Sequence, residues 1–321
     1  MKIEFCNERR LPIIIEADEK ERRGEGREAL FRLCLDHRDF LQEKLLEHGA
    51  LLLRGFPVLT APEFAQVVRW FSGRELLDYV GGASPRMKLG GGVYTSTEYP
   101  KYISLSLHNE LSYTYTWPVH LFFHCVRAAR RGGETPLGDS RELLKKIDAD
   151  VLSEFRRKHV RYERNLSGDP GSDFSWQAAF ETTERAAVEA YCRAGRVEFR
   201  WKDDGGLWLG EVRPATAVHW GTGQEVWFNQ ADGFHPSALT AEDYSALLAT
   251  MKEEEEFRLN SYFGDRTPLD PSALEHIREV VREEMVLVPW REGDVMIIDN
   301  MLVAHGRMPF EGPRRVLLAM T

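Results

Sequence analysis

The sequence predicts a mainly β core decorated by helices, an α+β chain whose centre is a barrel or jelly roll. Three observations point there. Short apolar runs rich in β-branched and aromatic residues are scattered from residue 50 to the end of the chain. Segments with helical periodicity cluster between those runs instead of following each one in turn. The last stretch returns to strands. Regular βαβ alternation would look different.

Taken in order, "REALFRLCLDHRDFLQEKLLEHG" has helical spacing of apolar residues and ends at Gly49, a plausible stop. "ALLLRGF" follows as a short buried strand. "TAPEFAQVVRWFSG" opens with a capping signature, Thr60 at the cap, Pro62 in the first turn and Glu63 three residues on. "DYVGGASPRMKLGGGVYTSTEYP" is glycine-rich. No Lys-Ser or Lys-Thr pair and no helix follows Gly90–Gly92, so it fails the phosphate-loop pattern and reads as a mobile loop approaching a ligand. "LSLHNELS" is a strand running into His108, Asn109 and Glu110. In "TWPVHLFFHCVRAA", His120 and His124 share one face of a strand and read as wall histidines in preference to a zinc pair. "SRELLKKID" and "DADVLSEFRRKH" are short helices.

The second half offers strands at "KHVRYER", "RVEFRW", "ATAVHW" and "EVWFNQ", and a helix at "TTERAAVEAYCRAG". "TAEDYSALLATMKEEEEF" and "DPSALEHIREVVREEM" read as capped helices with acidic starts, Glu253–Glu256 being a solvated end. Three strands close the chain: "MVLVPW", "DVMIIDN" and "RRVLLAM".

Bulk properties exclude several roles. With 321 residues, 43% hydrophobic, the chain can bury a large core, and the absence of linkers and repeats favours a single domain over 1–321. A net charge of −9 gives no footprint for a phosphate backbone, so nucleic acid is not an expected partner. No stretch approaches a membrane span or a signal-peptide core, so neither a membrane nor secretion is expected. Cys6, Cys34, Cys125 and Cys192 are far apart, which reads as reduced thiols in a cytoplasmic protein.

The histidine at the end of "LSLH" gains meaning from a second one. His305 also follows a strongly apolar strand, in "DVMIIDNMLVAHGRMPFEGPRRVLLAM", and Arg314 and Arg315 stand just before the last strand. "RRGGETPLGDSR" places Thr135 between the two histidines. Two histidines and a carboxylate on one face of an iron leave three coordination positions open. A 2-oxo acid can take two of them and oxygen the third. The far carboxylate of that acid needs a cation, which a guanidinium supplies in a forked geometry, and a threonine hydroxyl adds a hydrogen bond.

In "LHNEL", "GGETPLGDSR" and "DNMLVAHGRMPFEGPRR" the chain resembles the Fe(II)/2-oxoglutarate oxygenases of the taurine dioxygenase and clavaminate synthase-like superfamily, over roughly residues 50 to 321. "GGGVYTSTEYP" and "VWFNQADGFHPSAL" are similar to a narrower branch, syringomycin-type amino-acid hydroxylases of peptide natural-product pathways. The resemblance implies a double-stranded β-helix (jelly-roll) core, His108, Glu110 and His305 as iron ligands, and Thr135 with one of Arg314 and Arg315 holding 2-oxoglutarate. Strand neighbours face opposite sides, so one arginine points inward. The narrower branch favours Arg314; alignment with taurine dioxygenase favours Arg315. The superfamily's commoner carboxylate is Asp. Glu110 keeps an oxygen donor there, and so argues against a halogenase, in which a small residue leaves room for halide.

The implied reaction couples decarboxylation of 2-oxoglutarate by O2 to hydroxylation of an unactivated C–H bond. The expected substrate is amino-acid-like, free or presented by a carrier protein. Desaturation or cyclisation on the same scaffold is the alternative, and a non-enzymatic jelly-roll module binding a small acid is a further one. Tyr94, Thr95, Ser106 and Asn229 are candidate substrate residues, each equally readable as a local hydrogen-bonding polar. Trp117 and Trp227 could wall the pocket, although large aromatics more often fill cores.

Overall fold

Hydrophobic alternation in one strand organises the molecule. The computed structural model describes residues 2–5, 7–17, 26–250 and 256–321. His120–Arg127 lies between Val295–Asp299 and Arg315–Met320, antiparallel to both. Successive side chains of a strand point to opposite faces. Leu121, Phe123 and Cys125 therefore enter one core with Met296, Ile298, Val316 and Leu318, while Phe122 enters a second core with Val295, Ile297, Leu317 and Ala319.

The sheet built on this strand has eight members. Their order is Lys2–Phe5, Ile13–Glu16, Ala50–Arg54, Val295–Asp299, His120–Arg127, Arg315–Met320, Val93–Thr95 and Lys88–Gly90. Helices Gly26–Asp36, Arg38–His48 and Ala61–Ser72 contribute the buried residues that close the second core. Both faces are thus covered, which is why its central strands read as unbroken apolar runs.

Leu105–His108, Val303–Arg307 and Leu137–Asp139 form a three-stranded sheet with Val303–Arg307 in the middle. Leu107, Leu137, Val303 and Ala304 share the first core with Phe123, so this small sheet faces the large one. Most of the chain between the two histidine strands forms a separate four-stranded sheet, Glu198–Trp201, Leu207–Arg213, Val160–Leu166 and Leu259–Phe263, with helices around it.

Local signals behave as the side-chain chemistry requires. The Thr60–Glu63 capping box is formed, with Glu63 Oε2 accepting from Thr60 N at 2.7 Å. Gly49 ends its helix at φ +77°, where an added Cβ would meet Val303 Cγ2 at 2.4 Å. Three expectations need correction. The first helix is interrupted at His37, where Asp36 and His37 are weak helix formers. "MVLVPW" makes only a single bridge, Val286 to Leu137, because Pro289 has no N–H to continue a ladder. Gly90–Gly92, expected in a mobile loop, form the turn of a hairpin, all at positive φ and two of them with open space around. The expected helix beyond Thr250, with Glu253–Glu255, and Cys6 lie outside the described residues. No helix among them is long and apolar enough to cross a membrane. Cys34, Cys125 and Cys192 are free and buried; burial pushes the first two thiols up to about 12.

His120 and His124 belong to the scaffold. His124 Nε2 accepts from Leu59 N at 3.0 Å and Nδ1 donates to the Asp294 carbonyl at 3.1 Å, which suits only the neutral ring. His120 packs edge-on to Phe71, and burial lowers it to about 4 from an ordinary 6.5. A depressed folded value means stability that is full above pH 6.5 and is lost as pH falls from there towards 4, at up to about 1.4 kcal/mol per pH unit. Thermal melts between pH 7.5 and 4.5 should show this slope and its flattening in His120→Gln. An unchanged slope in the variant would remove His120 from the account.

Candidate active site

Three donor groups converge at the mouth between the two sheets. His108 ends its strand and sits directly opposite His305 in register, with ring centroids 4.5 Å apart. Glu110 lies two residues beyond the strand end, just before Leu111, a bulky residue held at φ +57°. One nitrogen of each histidine and one Glu110 oxygen all lie within 4.8 Å of one another.

The orientation of each donor has a cause. His108 Nδ1 donates to the Ser106 carbonyl at 2.9 Å, which fixes the tautomer and leaves Nε2 for a ligand. His305 is buried, its Nδ1 has no hydrogen-bond partner, and its Nε2 is 3.8 Å from Glu110 Oε2. Burial, reinforced by His108 and Arg86, holds the His305 ring well below its ordinary value, in the neutral form that coordinates metals. Glu110 is pinned through its backbone. Asn300 Oδ1 accepts from Glu110 N at 2.7 Å, and Asn300 Nδ2 donates to the carbonyls of Glu110 and Pro118, both at 2.9 Å. Asn109 Nδ2 returns the bond to Asn300 O at 2.7 Å.

Two residues that sequence reasoning missed face the carboxylate. Arg86 Nη2 lies 2.6 Å from Glu110 Oε2, its guanidinium stacked 4.5 Å from the Tyr79 ring centroid, and Tyr79 Oη donates to Oε1 at 3.2 Å. Both come from the glycine-rich stretch, where only the glycines drew attention. Asn300 was also missed, although it stands in the quoted "DNMLVAH". Arg307 was missed as well. It donates to four carbonyls, of Thr97, Tyr99, Pro100 and Ile103, and so holds the segment leading into the His108 strand.

A small recess beside the donors is lined by Thr135, Arg314, His108, His305 and Arg86. Arg314 turns inward. Its Nε donates to the Gly133 carbonyl at 2.9 Å and its Nη1 to Ser96 Oγ at 3.1 Å, and burial lowers it to about 10. Arg315 is exposed. Thr135 Oγ1 accepts from Trp290 Nε1 at 3.2 Å, so its hydroxyl proton is free to donate.

The candidate substrate residues separate. Ser106 lines a larger cavity, of about 680 Å³, that also reaches His108. Tyr94 does not; its Oη is engaged with Asp78, Glu181 and Tyr79 N. Thr95 Oγ1 accepts from Met87 N, and Asn229 uses both ends of its amide on Ala215 O and Ala231 N. Trp117 and Trp227 pack on Phe228 and Phe155 in the core instead of walling a pocket.

A two-histidine, one-carboxylate face beside a recess carrying an inward guanidinium and a hydroxyl defines a non-haem iron enzyme with an anionic cosubstrate. The donors are a borderline nitrogen-oxygen set suited to Fe(II), and a buried imidazole nitrogen without a partner fits a coordinated ring. Comparisons with known proteins agree. Residues 24–321 match the family described as taurine catabolism dioxygenase TauD, TfdA family, and the chain belongs to it. It is an Fe(II)/2-oxoglutarate-dependent dioxygenase. It is 38% identical over 280 residues to dapdiamide synthesis protein DdaC of Enterobacter agglomerans, covering 87% of this chain and 84% of that one. It is 33% identical over 290 residues to clavaminate synthase-like protein At3g21360 of Arabidopsis thaliana, covering 88% and 84%. In fold it is similar to PvcB of Pseudomonas aeruginosa (TM-score 0.54, 16% identity, covering 96% of this chain and 84% of that one). An asparagine oxygenase is comparable (TM-score 0.53, 14% identity, covering 96% and 93%).

Asn300→Ala should weaken Fe(II) binding by roughly 10- to 100-fold, because partners that orient a ligand matter nearly as much as the ligand. A metal titration of the folded variant checks this, and wild-type affinity would show that Glu110 needs no pin.

Proposed function

We propose that the chain is a single oxygenase domain over residues 1–321 that hydroxylates an unactivated C–H bond of an amino acid or carrier-tethered aminoacyl group. Its core is a double-stranded β-helix, with a helical N-terminal region and a helical insertion between the ligand-bearing halves. In this reading His108, Glu110 and His305 hold Fe(II), and Thr135 and Arg314 hold the far carboxylate of 2-oxoglutarate. The iron supplies the oxygen chemistry when bound. The chain's own work is to orient the cosubstrate along the recess, keep His305 neutral, exclude water behind Phe123, and present a C–H bond from the larger cavity.

The observation that carries this reading is that two recesses meet at the donors. The Thr135–Arg314 recess and the 680 Å³ cavity share only His108 and Leu105 in their linings. The side chains of the first suit a carboxylate group, and the second suits a larger organic molecule. Identity of 38% to a protein named for dapdiamide synthesis supports a small-molecule biosynthetic role. The size of the cavity supports a substrate longer than a free amino acid, for which a carrier protein is the natural partner. Three buried free thiols among the described residues support a reducing, cytoplasmic setting.

The test is mass spectrometry of amino acids, free and carrier-loaded, incubated with enzyme, Fe(II), 2-oxoglutarate and O2. Gain of one oxygen with matched succinate is expected. Loss of two hydrogens instead would make the enzyme a desaturase or cyclase, and no succinate under any condition would leave only a small-acid-binding role.

The arginine pair gives a sharper check. Truncating a buried charge-assisted partner costs on the order of 2–5 kcal/mol. Arg314→Gln should therefore raise the 2-oxoglutarate requirement roughly 30-fold or more, at about 1.4 kcal/mol per decade. Arg315→Gln, at an exposed position, should change it little. A large shift confined to Arg315→Gln would reverse the assignment.

A further inference from the structure

One buried carboxylate, among the described residues, receives no hydrogen bond from a side chain. Asp232 stands in the short helix Ala231–Phe234, is only 6% exposed, and lines the 680 Å³ cavity beside His108. The N–H groups of Asp232 itself and Gly233 donate to its carboxylate. Arg278 lowers the carboxyl through its charge but spends its donors elsewhere, on the Asp232 carbonyl at 3.2 Å and on Ser237 Oγ at 2.8 Å. Among the described residues, no side chain donates to the carboxylate.

A desolvated carboxylate without a cation is costly, and folded proteins pair such groups. The other buried carboxylates here follow that rule. Asp294 faces Arg54 and Glu211 faces Arg164 and Arg213, while Asp299 is satisfied by side-chain and backbone donors from His219, Met301 and Leu302. Asp232 departs from it at the one place where a cavity meets a candidate metal ligand. Burial raises its carboxyl, against the pull of the Arg278 guanidinium and of the two N–H groups. The surrounding wall is mostly apolar, with Ile103, Leu107, Phe234 and Leu259. Ser106, Gln230, His235 and Arg258 add polar groups to that lining, and Asp232 is its one carboxylate; a largely apolar pocket with a few placed polar groups is built to orient a ligand.

We infer that Asp232 is the counter-ion for a protonated amino group on the substrate, so that the enzyme takes amino-acid-type molecules whose amine is free. This rests on the oxygenase reading above and adds to it which end of the substrate is read. An ammonium is compact, offers three donors, and would neutralise the buried carboxylate on binding. Its anchoring beside His108 keeps the oxidised carbon within a short reach of the amino group. Acylation of the amine would remove both the charge and the fit. The other end of the substrate is left to the rest of the cavity, so a carboxyl group in amide or thioester linkage is compatible with it.

The experiment uses full-length enzyme loaded with redox-inert Zn(II) and 2-oxoglutarate, with ligand binding followed by calorimetry and ligand-observed NMR. The probes are matched sets of L-amino acids, their amides, which keep the ammonium, and their N-acetyl derivatives, which lack it. Wild type should prefer the ammonium-bearing members of a set by roughly 10-fold or more, about 1.4 kcal/mol. Asp232→Asn should erase that preference while binding 2-oxoglutarate like wild type. It should also melt higher than wild type without an amine ligand, since it removes a buried carboxylate to which no side chain donates. Binding of N-acetyl probes as tight as their parents, a preference that survives Asp232→Asn, or failure of every ammonium-bearing probe to bind would overturn the inference. Failure of wild type to bind 2-oxoglutarate would instead strike the oxygenase reading itself.

Discussion

The hydrogen bonds between Asn300 and the backbone of Glu110 hold the candidate centre together. They join residues 190 apart in sequence. Asn300 sits in the turn between Val295–Asp299 of the large sheet and Val303–Arg307 of the small one. Asp299 Oδ1 caps that turn by accepting from the N–H groups of Met301 and Leu302, both at 3.0 Å. The same turn therefore leads directly into the His305 strand and fixes the peptide that presents Glu110. His108 follows by strand pairing with His305. One polar turn thus sets all three donors relative to one another, and the two packed sheets make that turn rigid.

Charge in the site is arranged around this frame. Arg86 and Tyr79 face Glu110 from the glycine-rich segment, and Arg314 enters the recess it shares with Thr135 from the end of the last strand. Arg307, satisfied by four carbonyls, is a structural cation holding the chain just ahead of His108. Anion-binding and structural guanidinium groups thus lie side by side, and what separates them is whether the protein has already used their donors. The same criterion, applied to carboxylates, isolates Asp232.

Much of the fold and the donor set was legible in sequence. Apolar runs marked the strands because both faces of the large sheet are covered. The spacing of His108 and Glu110, and a second histidine after another apolar strand, marked the three groups that the fold brings together because a strand end aims side chains in a predictable direction. Other histidines carry no such signal. His120, His124 and His219 look like candidates in a list of residues, yet they belong to the scaffold: His124 is fixed by Asp294 and Leu59, His219 by Asp299, and His120 packs edge-on to Phe71. Tyr94, Thr95 and Asn229, near the motifs in sequence, spend their polar atoms on bonds within the protein.

By itself the sequence determined the class of chemistry: which residue types could bind iron, that a guanidinium and a hydroxyl accompany them, and that the core is mainly β. Tertiary structure decided which of two adjacent arginines faces inward. Strand periodicity says only that they differ, and the packing against Gly133 and Ser96 supplies the sign. It also brought Arg86, Tyr79, Asn300 and Asp232 to the site, residues whose roles depend on contacts across long loops. Periodicity reports which face of an element is apolar, whereas long-range polar contacts are set by how the elements pack and leave no period to read.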